Sequence, residues 1–152
     1  MIRASDNISH KVLLVLTMIM FGFLPGTLHS FSNEPDGHND IRWNADISTI
    51  KNMIYMKSEQ VGPDDQELKF YTREGDVLEF GKAALKSIEY GFINDRFFSV
   101  TFKVADLFNY VMLKKVVFDK FGPGTEFDQF SERYYWNGES SRVTLVSAFD
   151  FS

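Results

Sequence analysis

The chain has 152 residues, a formal charge of −5 and no cysteine. That length bounds it to one domain, and the missing cysteine excludes disulfides, thiol nucleophiles and a lipid-modified N-terminal cysteine. The net acidity is a poor match for nucleic acid, whose backbone is bound through Lys and Arg.

From the N-terminus, Arg3 and Lys11 flank a polar start, and Val12 to Leu24 is an almost continuous apolar run of thirteen residues. Pro25-Gly26 breaks the run, and small residues follow at Ser30 and Ser32. Basic start, short apolar run, helix break and small residues are the layout of an export signal. A membrane-spanning helix needs ~20 apolar residues, so residues 1–32 are expected to be a cleaved leader, cut after Ser30 or Ser32, with a retained anchor as the alternative. No membrane span is expected after cleavage. Removing Arg3, Lys11 and Asp6 takes the formal charge from −5 to −6.

Residues 33–40 (NEPDGHND) read as a flexible lead-in. Asp36, Asn39 and Asp40 are oxygen donors, but without the ligand spacing and terminal glutamate of a calcium loop. Ile41-Arg42-Trp43 opens the domain as a short strand. Ile47, Ile50 and Ile54 then fall at helical spacing and predict a first helix over about Asp46–Met56.

Gly62-Pro63-Asp64-Asp65 marks a turn. Leu68 and Phe70 alternate with Lys69 and Tyr71, and Leu78 and Phe80 alternate with Val77 and Glu79. Pairing Phe70 with Leu78 leaves the loop Arg73-Glu74-Gly75, with Gly in the third position that a type I turn plus bulge requires. A second hairpin follows: Ile88, Tyr90 and Phe92 alternate with Glu89 and Gly91, and Phe98, Val100 and Phe102 with Ser99, Thr101 and Lys103. Placing Phe92 opposite Phe98 leaves the three-residue loop Asn94-Asp95-Arg96.

Asp106 is suited to cap a helix over Leu107–Phe121, because its carboxylate can accept from first-turn N–H groups. Tyr110, Leu113, Val117 and Phe121 form its core stripe, Lys115 and Asp119 sit one turn apart on the far side, and Gly122-Pro123 ends it. Beyond a loop to Ser131, Arg133–Trp136 and Arg142–Val146 predict a last hairpin turning near Asn137-Gly138. Phe149 and Phe151 remain in the tail.

These elements predict an α+β domain over residues 41–152: an antiparallel sheet of about six strands with two helices packed on one face. Its chemistry is narrow. Histidine occurs only at His10, His29 and His38, which places none in the predicted domain and excludes His-based triads and His/Cys metal sites there. No glycine-rich phosphate loop occurs. No cofactor, metal or catalytic residue is expected.

Aromatic residues reach 16% of the chain. By the parity above, Phe70, Phe80, Tyr90, Phe92, Phe98, Phe102, Tyr134 and Trp136 line the helix-covered face. The open face then carries Tyr71, Arg73, Phe97, Arg133 and Tyr135, together with Lys69, Glu79, Ile93, Thr101, Lys103, Arg142 and Thr144. It reads either as an ordinary solvated sheet face or as a partner surface built from residue types enriched in binding hot spots.

The runs IRWNADISTIKNM, LKFYTREGD, IEYGFINDRFFSV, FDKFG and YYW resemble a family of small exported bacterial proteins of unknown function. Tyr90-Gly91-Phe92 and Lys120-Phe121-Gly122 match its Tyr-Gly-Phe strand and Lys-aromatic-Gly helix end. Trp43-Asn44-Ala45 departs from its aromatic-Gly-Thr step. More remotely, a helix followed by antiparallel strands is similar to the small lipoprotein of the outer-membrane barrel-assembly machinery and to β-lactamase inhibitor protein repeats. That similarity implies a protein-binding module. The functional expectation is an exported, non-enzymatic interaction module whose partner is another envelope protein. A small-ligand or glycan binder, and a hydrolase working through two carboxylates, are the alternatives.

Overall fold

The computed structural model describes residues 12–20, 31–127 and 132–149. In chain order the strands are β1 (Val12–Met20), β2 (Gly37–His38), β3 (Ile41–Arg42), β4 (Met53–Val61), β5 (Gln66–Arg73), β6 (Glu79–Phe80), β7 (Ala83–Ala84), β8 (Ser87–Ile93) and β9 (Arg96–Val104). Helix α1 (Leu107–Phe121) follows, then β10 (Thr125–Glu126), β11 (Arg133–Asn137) and β12 (Ser141–Phe149). Eight strands make one antiparallel sheet in the order β10-β11-β12-β1-β9-β8-β5-β4, while β2-β3 and β6-β7 are separate two-stranded ladders. This overturns the expected six-stranded sheet under two helices. The described residues form a mostly-β fold with a single α-helix.

The helix forms where its sequence places it. Asp106 is extended, and its carboxylate accepts from the Asn109 amide at 2.8 Å. Tyr110, Leu113, Val117 and Phe121 are its buried residues. Lys115 and Asp119 pair at 2.9 Å on the solvated side, and Gly122 terminates the helix with φ +80°.

The first predicted helix does not form. Asp46 caps a single 3-10 turn, Ile47–Thr49, by accepting from the Ser48 amide. Asn52 then takes φ +65°, which turns the chain into β4. Ile47 and Ile50 pack partly against the core, but Ile54 is 52% exposed on an edge strand. Three β-branched residues at helical spacing are outweighed here by their preference for extended backbone.

Losing that helix changes the first hairpin. β5 pairs with β4 across the Gly62–Asp65 turn and with β8 on its other side, where Tyr71 lies opposite Tyr90. The Arg73-Glu74-Gly75 turn is made, with Gly75 at φ +88°, but Glu79 and Phe80 leave to pair with Ala84 and Ala83. Phe70 is therefore not opposite Leu78, and the two faces of β5 exchange. Tyr71 lies on the covered side, and Leu68 and Phe70 lie on the other.

The β8-β9 hairpin is tighter than expected. Ile93 pairs with Arg96, leaving a two-residue turn in which Asn94 and Asp95 both have positive φ, as a type I′ turn requires. A bulge then changes the register from Phe92 opposite Phe97 to Gly91 opposite Ser99, with Phe98 as the extra residue. The bulge restores parity, so Ile88, Tyr90 and Phe92 share the core face with Phe97, Val100 and Phe102. All six are essentially buried.

Helix α1 and a strap formed by residues 31–50 cover that face. His38 packs edge-on against Phe102 at 4.8 Å, Trp43 stacks on Phe97 at 4.9 Å, and Ile41 is buried. Residues 33–40 are thus tied down rather than a free lead-in. The Trp43 indole N–H donates to the Pro35 carbonyl at 2.8 Å, and the Asn33 amide donates to the Lys120 carbonyl at 2.8 Å.

β1 occupies the middle of the sheet. It pairs with β12 from Val12↔Phe149 to Met20↔Ser141, and with β9 from Leu14↔Val104 to Ile19↔Ser99. Leu16 and Met18 are buried in the core. The apolar segment read as the heart of a leader is thus a central strand of this sheet. Arg3, Lys11, His10, Pro25-Gly26, His29, Ser30 and Phe151 lie outside the described residues.

Candidate binding surface

β11 and β12 place alternate side chains on the face of the sheet away from α1. Arg133, Tyr135 and Asn137 project from β11, opposite Val146, Thr144 and Arg142 of β12. Trp136, between them in sequence, turns to the core and donates its indole N–H to the Gly122 carbonyl at 3.0 Å. The alternation that buries Trp136 therefore sets Arg133 and Tyr135 on the outer face.

Phe127 closes one side. Its amide donates to the Arg133 carbonyl at 3.0 Å, and the Arg133 guanidinium lies 5.1 Å from the centre of its ring. The open groove is about 560 Å³ and is lined by Phe127, Arg133, Tyr135, Asn137, Arg142, Thr144 and Val146. Arg142 is oriented by its Nε–H, which donates to Asn137 Oδ1 at 2.6 Å. Two guanidiniums, a phenol and a 63% exposed phenylalanine meet here, and among the described residues that line it none is acidic. Such a surface can hold a carboxylate or another anionic group while an apolar or planar group rests on the rings.

Of the five residues expected on the open face, the structure brings together Arg133 and Tyr135. Phe97 is fully buried, which corrects its expected place, because the Phe98 bulge turns it inward. Tyr71 stands edge-on to Phe92 at 5.4 Å on the covered side. Arg73 lies on that side too, in a two-pronged pair with Asp40 at 2.6 and 3.2 Å. Phe127 and Asn137 were missed, since neither lies in a patterned run. Arg142 and Thr144 had been placed on this face by parity.

A second polar constellation lies under the strap. The Tyr90 hydroxyl donates to Asp76 Oδ2 at 2.5 Å. Burial, and then its bond to Asp76, push the Tyr90 phenol above its ordinary value. Burial beside the Tyr90 and Phe102 rings lowers His38 from 6.5 to about 4, and its Nε2 is buried without a hydrogen-bond partner among the described residues. Such a histidine is neutral near pH 7. Sequence reasoning set it aside as part of a linker, and nothing in its local sequence signals burial. Among the described residues no group of three or more potential ligands converges on a metal position.

The fold and groove define a class in physical terms: an antiparallel eight-stranded sheet, one face sealed by a helix and an N-terminal strap, the other carrying an arginine-aromatic groove. The chain matches no family model, curated protein or solved structure. Among the described residues no helix is long and apolar enough to cross a membrane.

Proposed function

We propose that this is an exported, non-enzymatic interaction module that engages another envelope protein through the β11-β12 groove. The observation that carries the reading is the convergence of Arg133, Arg142, Tyr135 and Phe127 around one concave surface. Arg, Tyr and Phe concentrate binding energy at protein interfaces. The export part rests on the order of the first thirty residues: basic start, apolar run, Pro-Gly break, small residues. The complementary partner surface carries a carboxylate flanked by an apolar or aromatic side chain.

Capture from envelope extract tests this, with the wild type and an Arg133→Glu/Tyr135→Ala variant as baits. Both substitutions lie on the outer face, so the variant should melt within a few degrees of the wild type. A defined partner captured by the wild type and lost by the variant supports the reading. Equal capture by both removes the groove from consideration.

The groove volume of about 560 Å³ falls in the range of small-molecule sites, roughly 300–1,000 Å³. That favours, as a second reading, a small anionic ligand or glycan. Ligand-observed NMR on an acidic-glycan mixture discriminates the two, since saturation transfer abolished by the same variant would favour the small ligand.

A further inference from the structure

β9 and β12 do not touch. β1 lies between them and is antiparallel to both, so β9 and β12 run parallel to each other, two strand spacings apart, roughly 9–10 Å. β1 meets β12 at nine consecutive positions and β9 at six. It also fills the core, because Leu16 sits between Phe102 and Leu145, and Met18 between Val100 and Val143, with both side chains essentially buried. On the outer face Thr17 lies between Thr101 and Thr144, its hydroxyl 3.4 Å from that of Thr101.

The same nine residues are the heart of the apolar run between Lys11 and Pro25-Gly26. Export with removal of that run leaves β9 and β12 with facing rows of unpaired N–H and C=O groups above an apolar floor. The two strands cannot re-form this ladder by closing on each other. A parallel pair needs slanted bonds and a different register, and α1 already ties the end of β9 to the core through Tyr110, Leu113 and Val117. Open strand edges over a hydrophobic floor are templates for strand addition.

We propose that the channel between β9 and β12 is a strand-accepting site, and that the processed protein takes an extended segment of a partner protein in the place of β1. The inference rests on the export reading above. β1 itself shows what fits: a segment antiparallel to both neighbours, with aliphatic side chains two positions apart facing the core. A small or hydroxyl residue stands between them on the outer face, and proline is excluded because both edges of the strand donate and accept. Residues 12–20 hold the site until they are removed.

The test begins with protein purified from the envelope of the expressing cell and its intact mass. A mass showing that residues 12–20 remain overturns the site, and replaces the cleaved leader with a retained segment. With the segment removed, the probe is a fluorescent synthetic peptide of residues 12–20 flanked by lysines, and the control peptide carries Leu16→Asp and Met18→Asp. Expected is saturable binding of the first peptide, weakened at least 100-fold in the second. Because the chain has no cysteine, register can be read by disulfide trapping. A Thr17→Cys peptide should trap on the Thr101→Cys protein, and a Met18→Cys peptide, whose thiol faces the core, should not. Processed protein that binds neither peptide overturns the site while leaving the export reading intact. A processed dimer that excludes the peptide until diluted overturns the partner assignment in favour of a second copy.

Discussion

The Glu34 carboxylate and the Ser141 amide lie 2.7 Å apart, joining the start of the strap to the last hairpin. The same carboxylate accepts from the amides of Glu139 and Ser140 at 2.9 and 2.8 Å, and from the hydroxyls of Ser140 and Ser141. Three successive amides of the β11-β12 turn converge on one anion, and the strap is thereby fastened to the strand pair that carries the binding groove.

Glu34→Ala therefore leaves a nest of turn amides to water and frees one end of the strap. Hydrogen bonds to a charged group contribute about 1.5–3 kcal/mol, and a stability loss in that range is expected in urea unfolding. Burial pushes the Glu34 carboxyl up, but the amides of Ser140, Glu139 and Ser141 outweigh it and hold the group below its ordinary 4.5. A depressed carboxylate contributes stability above 4.5 and loses it as pH falls through the lower folded value. Glu34→Gln should remove that slope below pH 4.5, seen by comparing unfolding midpoints at pH 5 and pH 3.

His38 acts in a different window. Its folded value is about 4 against an ordinary 6.5, so between those limits the unfolded chain binds the extra proton. Stability is full above pH 6.5, falls as pH drops toward 4, and is level below. Asp76 and Asp40 favour the proton, Lys120 and Arg73 oppose it, and burial dominates. The full span corresponds to about 3 kcal/mol at about 1.4 kcal/mol per pH unit. His38→Phe keeps an aromatic ring against Phe102 and should flatten the profile from pH 6.5 to 4, measured as melting temperature against pH.

Helix α1 and the β11-β12 hairpin were legible because each carries local punctuation that agrees with its periodicity: Asp106 and Gly122 for the helix, Asn137-Gly138 for the hairpin. β1 was not. A strand with neighbours on both edges, its Leu16 between Leu145 and Phe102, is apolar at nearly every position, and so is the heart of an export signal. Periodicity cannot separate the two. The inward turn of Phe97 depends on one inserted residue, Phe98, and no residue type announces a bulge there. Tyr71 and Arg73 were assigned to the wrong face because β5 pairs with β4 and β8, not with residues 77–80, and parity holds only within the correct pair.

Phe97 separates the expected face from the observed one. Its side chain is fully buried against Trp43, Tyr90 and Phe92, so Phe97→Ala should cost about 3–5 kcal/mol, the range for deleting a core aromatic. Tyr135→Ala, on the outer face, should change stability by less than about 1 kcal/mol. Denaturant unfolding of the two variants side by side checks this, and equal small losses would return Phe97 to the surface.

The helix can be tested at its cap and its stripe, with effects of different size. Asp106→Ala removes the acceptor of the Asn109 amide and should lower stability modestly. Val117 is fully buried, within the cluster that includes Leu113 and Phe121. Val117→Asp puts a carboxylate among buried apolar side chains, and the desolvation penalty is comparable to the whole stability of a small domain, about 5–15 kcal/mol. Circular dichroism melts should show Asp106→Ala as a lowered but cooperative transition and Val117→Asp as none. A Val117→Asp chain that melts cooperatively near the wild-type temperature would mean that the stripe Tyr110-Leu113-Val117-Phe121 does not face the sheet.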